Sequence, residues 1–406
     1  TVPANRSVYY TVYKPDGTVL TSTSTTSATT LNLPNLPETG TYTVFVDPTY
    51  GEAATAQVTL ATGTTGGEET DGAGGEYATT VPGQNVYLTF PATAGQQLGL
   101  GISDLVAGDT GYVYVHVSRP DGSYLADAYC YASNGGCGLN LPIAATGVYS
   151  VTVSAPDANQ TMSFKTTLST DVTGTLTPDV PVALNLSRRG QNGRLAFAGT
   201  AGGTVALQVA GQVTVPANRS VYYTVYKPDG TVLTSTSTTS ATTLNLPNLP
   251  ETGTYTVFVD PTYGEAATAQ VTLATGTTGG EETDGAGGEY ATTVPGQNVY
   301  LTFPATAGQQ LGLGISDLVA GDTGYVYVHV SRPDGSYLAD AYCYASNGGC
   351  GLNLPIAATG VYSVTVSAPD ANQTMSFKTT LSTDVTGTLT PDVPVALNLS
   401  RRGQNG

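Results

Sequence analysis

The chain has 406 residues, of which 11% are charged, and its formal net charge is −17. An acidic chain with only 13 Lys and Arg side chains lacks the clustered cations that bind phosphate, which excludes nucleic acid as a partner. No apolar run is long enough to span a bilayer, so we expect no membrane insertion. Trp is absent and Tyr is frequent, with 26 residues, in a sequence rich in Thr and Val, a composition that predicts strands.

The chain contains one long internal repeat. Residues 1–193 recur without change as residues 214–406, and residues 1–213 make one full period. We expect the chain to be a window on a longer array that continues in both directions. In the alternative, residues 387–406 complete the truncated domain of another molecule by strand addition, but two strands of that domain would still be missing.

Each period contains two versions of one pattern, which predicts two related domains of roughly 100 residues each. Both versions contain, in order, GQN, L-x-F, TAG, an alternating strand, PDG, LNLP and TG-x-Y-x-V-x-V. We refer to the versions as type 1 and type 2, of which only type 2 contains cysteine. The predicted domains are residues 1–64 (type 1, lacking its first strands), 65–173 (type 2), 174–277 (a complete type 1), 278–386 (type 2) and 387–406 (the first strand of a further type 1).

The first strand is predicted at SVYYTVY, near the start of the chain. Side chains alternate along it, which places Val8, Tyr10 and Val12 on an inner face. Tyr9 and Tyr13 then lie on the outer face. The PDG that follows predicts a turn, because proline fixes φ, aspartate bonds its own backbone and glycine accepts positive φ. Such strands between turns predict an all-β chain of tandem antiparallel β-sandwiches, immunoglobulin-like or jelly-roll-like, in a linear array.

The next segment is GTTGGEETDGAGGE, at residues 63–76, and it recurs at 276–289. Its glycine-rich, acidic composition predicts a flexible linker or a solvated loop. The later junction STDVTGTLTPDVPVALNL has no such run, so we expect it to be stiffer.

In the type 2 pattern, YVYVHVS predicts a strand with a buried valine face. Val113, Val115 and Val117 point to one side, while Tyr112, Tyr114 and the single histidine of the period, His116, point to the other. Since one outward histidine among valines offers no catalytic triad, we interpret His116 and its repeat His329 as surface residues.

The four cysteines lie in two copies of CYASNGGC. Asn-Gly-Gly is a turn signal between two predicted strands, so a hairpin would bring the cysteines of each copy together. We therefore predict local disulfides Cys130–Cys137 and Cys343–Cys350 and an oxidising compartment. Intermolecular bridging is the alternative, and two thiols without further ligands make a poor zinc site.

GQN-x-x-L-x-F, PDG-x-x-L and TG-x-Y-x-V-x-V resemble the prepeptidase C-terminal-like (PPC-like) β-sandwich, and more closely its tandem arrays in large bacterial secreted and surface proteins. The resemblance covers nearly the whole chain. It implies a jelly-roll-like sandwich, secretion, and a role in adhesion, surface structure or substrate attachment. Some members bind calcium near the domain entrance, where this chain has Glu68, Glu69, Asp71 and Glu76 without the spaced aspartates of a strong calcium loop. No other cofactor is expected.

Outward tyrosines are the most distinctive predicted surface feature. Tyrosine combines apolar area with a hydrogen-bonding tip, so these residues are either ordinary sheet-surface side chains or contacts for neighbouring chains or glycans. The candidates are Tyr9, Tyr13, Tyr112 and Tyr114, with their repeats Tyr222, Tyr226, Tyr325 and Tyr327.

The sequence offers no constellation of catalytic residues, so we expect a non-enzymatic protein. Identical copies favour a role that depends on length or number. We expect a structural protein of a bacterial cell surface, a filament or an adhesin stalk, whose partners are like repeats or neighbouring chains. The alternative is a carbohydrate- or surface-binding accessory module of a large secreted protein.

Overall fold

The computed structural model describes residues 6–108, 111–155, 157, 159–321, 324–368, 370 and 372–406, so residues 1–5 of the first predicted domain lie outside it. The protein is all-β, as predicted, and its described residues contain no α-helix. The short 3-10 turns are Thr49–Gly51, Ala132–Asn134, Thr262–Gly264 and Ala345–Asn347. The chain forms two compact units. Unit 1 is Thr1–Val172, Leu186–Asn192 and Asp260–Ala266, and unit 2 is Thr173–Asn185, Gly193–Val259 and Ala267–Gly406.

The first type 1 segment forms one antiparallel sheet with the strand order β2-β1-β3. Its strands are β1 (Val8–Tyr13), β2 (Val19–Thr25) and β3 (Thr43–Pro48). Val8 and Val12 are buried and Tyr9 is exposed, as the alternation predicts. The PDG turn closes with a hydrogen bond of 2.9 Å from the Gly17 amide to the Lys14 carbonyl.

The first type 2 segment forms a five-stranded and a four-stranded sheet. Its strands are β4 (Thr64–Gly67), β5 (Glu76–Ala78), β6 (Val86–Ala92), β7 (Gln97–Ala107), β8 (Tyr112–Ser118), β9 (Tyr124–Tyr131), β10 (Cys137–Pro142), β11 (Gly147–Ser154) and β12 (Met162–Thr170). The sheet orders are β4-β6-β11-β8-β9 and β10-β7-β12-β5. One apolar core takes side chains from both sheets, and Val113, Val115 and Val117 are fully buried in it.

The complete type 1 segment also has a five-stranded and a four-stranded sheet, in the orders β13-β15-β20-β17-β18 and β14-β21-β16-β19. Its strands are β13 (Val172–Thr175), β14 (Val182–Leu186), β15 (Gly193–Gly199), β16 (Val205–Val215), β17 (Val221–Tyr226), β18 (Val232–Thr238), β19 (Thr242–Leu246), β20 (Gly253–Pro261) and β21 (Ala266–Thr275). Val257 and Val259 are buried here, whereas the identical Val44 and Val46 of the first segment are 49% and 39% exposed. These valines are thus core positions only where the opening strands of the type 1 segment are present.

The second type 2 segment repeats the first, strand for strand. Its strands are β22 (Thr277–Gly280), β23 (Glu289–Ala291), β24 (Val299–Ala305), β25 (Gln310–Ala320), β26 (Tyr325–Ser331), β27 (Tyr337–Tyr344), β28 (Cys350–Pro355), β29 (Gly360–Ser367) and β30 (Met375–Thr383). The sheet orders are β22-β24-β29-β26-β27 and β23-β30-β25-β28.

The glycine-rich acidic segment is ordered, so the prediction of a flexible linker is wrong. Thr64–Gly67 pairs in parallel with the start of β6, and the Glu68 amide donates a hydrogen bond of 2.8 Å to the Thr89 carbonyl. The Asp71 carboxylate accepts hydrogen bonds from the amide and hydroxyl of Thr170, at 2.9 and 2.8 Å. Backbone pairing and a buried acid hold this segment in place. Its glycines permit this arrangement, because a residue without a side chain lets the backbone pass close to its neighbours.

Candidate functional sites

An aromatic face covers the edge of the five-stranded sheet in each type 2 segment. In the first copy it consists of Tyr112, Tyr114, His116, Tyr124, Tyr129 and Tyr131 on β8 and β9. The ring of Tyr129 lies 5.1 Å from that of Tyr114 and 5.7 Å from that of Tyr112. Antiparallel pairing puts these rings side by side, because residues opposite each other on one face are close neighbours.

A single carboxylate organises the polar tips of this face. Asp127 accepts hydrogen bonds from the hydroxyls of Tyr114, at 2.5 Å, and Tyr124, at 2.8 Å. The bond to Asp127 raises the pKa of Tyr114 to about 12. The same bond, more than that from Tyr124, lowers the pKa of Asp127. Tyr114 and Tyr124 therefore stay protonated beside a carboxylate that stays ionised.

Replacing Asp127 with asparagine is expected to lower the pKa of Tyr114 toward the ordinary tyrosine value, because the phenol loses its anionic acceptor. Spectrophotometric tyrosine titration of the wild type and Asp127→Asn measures this shift. The identical cluster around Asp340 is an internal control, in which Tyr327 keeps a pKa of about 12. An unchanged titration in the variant would show that Asp127 does not set the phenol pKa.

The predicted tyrosines do not form one surface. Tyr112 and Tyr114, with their repeats Tyr325 and Tyr327, belong to the aromatic faces of the two type 2 segments. Among the described residues, Tyr9, Tyr13, Tyr222 and Tyr226 of the type 1 segments take part in no ring pair. Tyr124, Tyr129 and Tyr131 were not among the predicted interface residues, although the alternation of Tyr129 and Tyr131 on either side of Cys130 is visible in the sequence.

Each type 2 segment contains one disulfide. Cys130 is bonded to Cys137 with a Cα–Cα distance of 4.9 Å, and Cys343 to Cys350 with a distance of 4.8 Å. The loop that each bond closes also meets an arginine. The Arg189 guanidinium donates to the Asn134 carbonyl at 2.8 Å, and Arg402 repeats this contact in unit 2. The disulfides indicate folding in an oxidising compartment outside the cytoplasm.

Reduction is expected to lower the free energy of unfolding of a type 2 segment by about 2–3 kcal/mol at most, because the closed loop is short. Denaturant unfolding with and without reductant measures this change, and peptide mapping checks the pairing. A peptide that links Cys130 to Cys350, or free thiols in the oxidised protein, would contradict the assignment.

The four acids considered for calcium lie at separate positions. The Glu68 side chain is buried, Glu69 is exposed, Asp71 binds Thr170, and Glu76 pairs with Lys165 at 3.1 Å. In the part of the chain that the structure describes, no three His, Cys, Asp or Glu residues could share a metal ion.

Two loops, residues 186–192 and 260–264, pack against the outer face of the four-stranded sheet in unit 1. Gly99 and Gly101 on β7 have no side chains there, and a Cβ on either would collide with the loop carbonyls of Gly190 and Arg189. A Cβ on Gly138 of β10 would lie 2.7 Å from the Cα of Gly264. Glycine at these strand positions lets two backbones approach closely.

Polar side chains form hydrogen bonds between these loops and the sheet. The amide oxygen of Asn140, from LNLP, accepts a hydrogen bond from Asn192, from GQN, at 2.5 Å. The amide nitrogen of Asn140 donates to Asp260 at 3.1 Å, and the Thr167 hydroxyl donates to the Arg189 carbonyl at 2.8 Å. The loop is thus bonded to two strands of the sheet.

The same two motifs meet where a type 1 segment precedes a type 2 segment. The LNLP asparagine Asn245 donates to the Gly296 carbonyl at 2.9 Å and accepts from the Asn298 amide at 2.8 Å. Asn32 makes the same pair of bonds to the first GQN turn in unit 1. Val294 is buried against Ala206. Ala206 is the strand partner of Asn245, just as Gly99 is the strand partner of Asn140 in the type 2 sheet. In the sequence, GQN and LNLP indicate only a turn and a strand, and nothing in either motif predicts their contact.

Among the described residues, no helix has the length and apolar character needed to cross a membrane.

The fold and these sites define an all-β repeat protein with local disulfides. No family model matches the chain, and no curated protein matches it. Parts of the chain are similar to several solved structures. A periplasmic inhibitor of g-type lysozyme from Aeromonas hydrophila is 15% identical, over 26% of this chain and 99% of the inhibitor, with a TM-score of 0.19. A structure of Sulfolobus Turreted Icosahedral Virus is 12% identical, over 74% of this chain and 84% of that one, with a TM-score of 0.18. The CUB1-EGF-CUB2 part of human MASP-1/3 is 10% identical, over 49% of this chain and 99% of that one, with a TM-score of 0.16. At these scores no function is inferred from them.

Proposed function

We propose that the protein is a non-enzymatic structural repeat protein of the bacterial cell exterior, serving as a surface fibre or adhesin stalk. In this proposal the two-sheet segments are tandem β-sandwich domains of a PPC-like, jelly-roll-like class, strung in a linear array with the domain boundaries given above. In this proposal the function resides in the array, because its length sets the reach of the protein and its repeat number sets how many copies of a surface are presented.

The observation that supports this proposal is that successive segments are joined by the same type of hydrogen-bonded contact. The asparagine of LNLP bonds the GQN turn of the following segment after type 1 (Asn32, Asn245) and after type 2 (Asn140). The Gln297 side chain also donates to the Thr275 carbonyl at 2.6 Å, in the segment before it. The bonds of Asn32 and Asn245 are made to backbone groups and resist bending between the two segments that they join. A stalk requires such resistance, which a chain of freely rotating domains lacks.

Electron microscopy of the purified chain tests the proposal. We expect a narrow distribution of angles between each type 1 segment and the type 2 segment that follows it. Replacing Asn32 and Asn245 with alanine should widen that distribution, because each joint then loses two hydrogen bonds. Replacing the exposed Tyr222 with alanine is the control and should change nothing. Freely variable angles in the wild type would contradict a stalk.

A second candidate function is supported by the aromatic face, which suits attachment to a polysaccharide surface. Tyr124, Tyr129 and Tyr131 are each 44% exposed or more, and rings of this kind stack on the apolar faces of sugars. Glycan-array binding that is lost in Tyr129→Ala and Tyr342→Ala, but kept in Tyr222→Ala, would favour this module over the stalk. Absence of any binding would remove it.

A further inference from the structure

A buried acid joins the entrance of each type 2 segment to its last strand. The Glu68 side chain is 2% exposed, and its Oε1 atom lies 2.5 Å from the Thr166 hydroxyl on β12. Its other oxygen, Oε2, is also buried and makes no hydrogen bond to the protein. In the second copy, Glu281 and Thr379 have the same distance of 2.5 Å and the same unbonded oxygen.

The surroundings of Glu68 are built around this contact. The Tyr77 hydroxyl donates to Glu68 Oε1 at 2.8 Å. A Cβ on Gly75 would collide with the Tyr77 ring, and so would one on Gly66, so the two glycines make room for that ring. The Gly75 amide donates to the Thr166 oxygen at 3.1 Å, which fixes the hydroxyl beside the carboxyl group.

Buried carboxyl groups are usually paired with a cation or fully hydrogen-bonded, whereas Glu68 makes no ion pair with the described residues and has one unbonded oxygen. The Glu68 carboxyl group faces an alcohol held at contact distance. Holding two groups in a reactive geometry accelerates their reaction, and well-oriented intramolecular reactions reach effective concentrations of about 10⁵–10⁸ M.

We propose that Glu68 and Thr166 condense to an intramolecular ester, as do Glu281 and Thr379. Thr166 Oγ1 forms a bond to Glu68 Cδ, and the bond from Cδ to Oε2 breaks. Oε2 leaves as water with its own proton and the proton of the threonine hydroxyl, so no oxidant or other reactant is needed. The product is uncharged and has lost the unbonded oxygen.

Tyr77 is a positioning residue for this condensation. Burial raises its pKa to about 12, so the phenol keeps its proton and donates to Oε1 while negative charge develops there. The ester would join residues 68 and 166 covalently, so tension between the ends of the segment would bypass the core. That mechanical role rests on the proposed stalk function, whereas the bond itself does not.

Intact-mass measurement of the folded, purified chain tests the ester directly. We expect a mass below that of the disulfide-bonded chain by two water molecules, one for each type 2 segment. Thr166→Val should restore one of them, and Thr166→Val with Thr379→Val should restore both. Hydroxylamine cleaves an ester to a hydroxamic acid and a free hydroxyl, so it should add the mass of one hydroxylamine molecule for each ester and should add none to the double variant.

Peptide mapping keeps the result specific, because a cross-linked peptide containing Glu68 and Thr166 must be found in the wild type. Tyr77→Phe should keep the segment folded and slow the appearance of the lighter species. A wild-type mass equal to that of the disulfide-bonded chain would overturn the ester. This outcome is independent of the shape seen by electron microscopy, so failure of the ester and failure of the stalk are distinguishable.

Discussion

Replacing Gly99 with alanine is expected to release residues 186–192 from the sheet while leaving the type 2 segment folded. The new Cβ would collide with the Gly190 carbonyl, a backbone group that cannot rotate away. The core is on the other face of β7, where Leu98 and Leu100 are buried. Overpacking of this kind costs roughly 1–3 kcal/mol.

Hydrogen exchange at the Gly190 amide measures the release, because that amide donates to the Gly264 carbonyl at 2.6 Å. The cost corresponds to roughly ten- to hundredfold faster exchange. Gly67→Ala is the matched control, since the nearest atom to its Cβ is 3.9 Å away. Unchanged exchange at Gly190, or the same acceleration in the control, would show that Gly99 is not required for close approach.

Replacing Phe90 with alanine is expected to lower the free energy of unfolding of its type 2 segment by about 3–5 kcal/mol. The Phe90 side chain is fully buried and stacks on Tyr149 with ring centroids 5.3 Å apart. Its removal opens a cavity between the two sheets that neighbouring side chains cannot fill completely. Denaturant unfolding followed by tyrosine fluorescence measures the loss.

The second type 2 segment supplies the reference for this measurement, because its equivalent residue Phe303 is equally buried. We expect the transition of the type 2 segments to split into an early part and an unchanged part. Tyr129→Ala, at a position 59% exposed, should shift either part by about 0.5 kcal/mol at most. Equal losses from Phe90→Ala and Tyr129→Ala would mean that the aromatic face is part of the core.

Strands were predictable from sequence where alternation was strict. In β8 each valine is buried and each tyrosine points outward, because the pleat imposes a period of two whatever the rest of the chain does. The PDG turns were predictable for a similarly local reason, since their hydrogen bonds join residues that are near one another in sequence.

Contacts between distant residues were not predictable in this way. Asn140 and Asn192 meet only because a turn packs against the outside of a sheet. The sequence of neither motif indicates this packing. Gly99 looks like a weak strand residue until the loop above it is known. The glycine-rich segment has the composition of a linker, but the buried Glu68 side chain and the pairing of Thr64–Gly67 hold it in place.

The pairing of LNLP with GQN has a consequence for how the gene can change. Type 1 and type 2 segments each contain both motifs. Each segment can therefore bond the preceding segment through its GQN turn and the following segment through its LNLP asparagine. Recombination between identical repeats that inserts or deletes a whole period leaves no asparagine and no turn without its counterpart. The length of this protein can therefore vary between lineages without any compensating substitution.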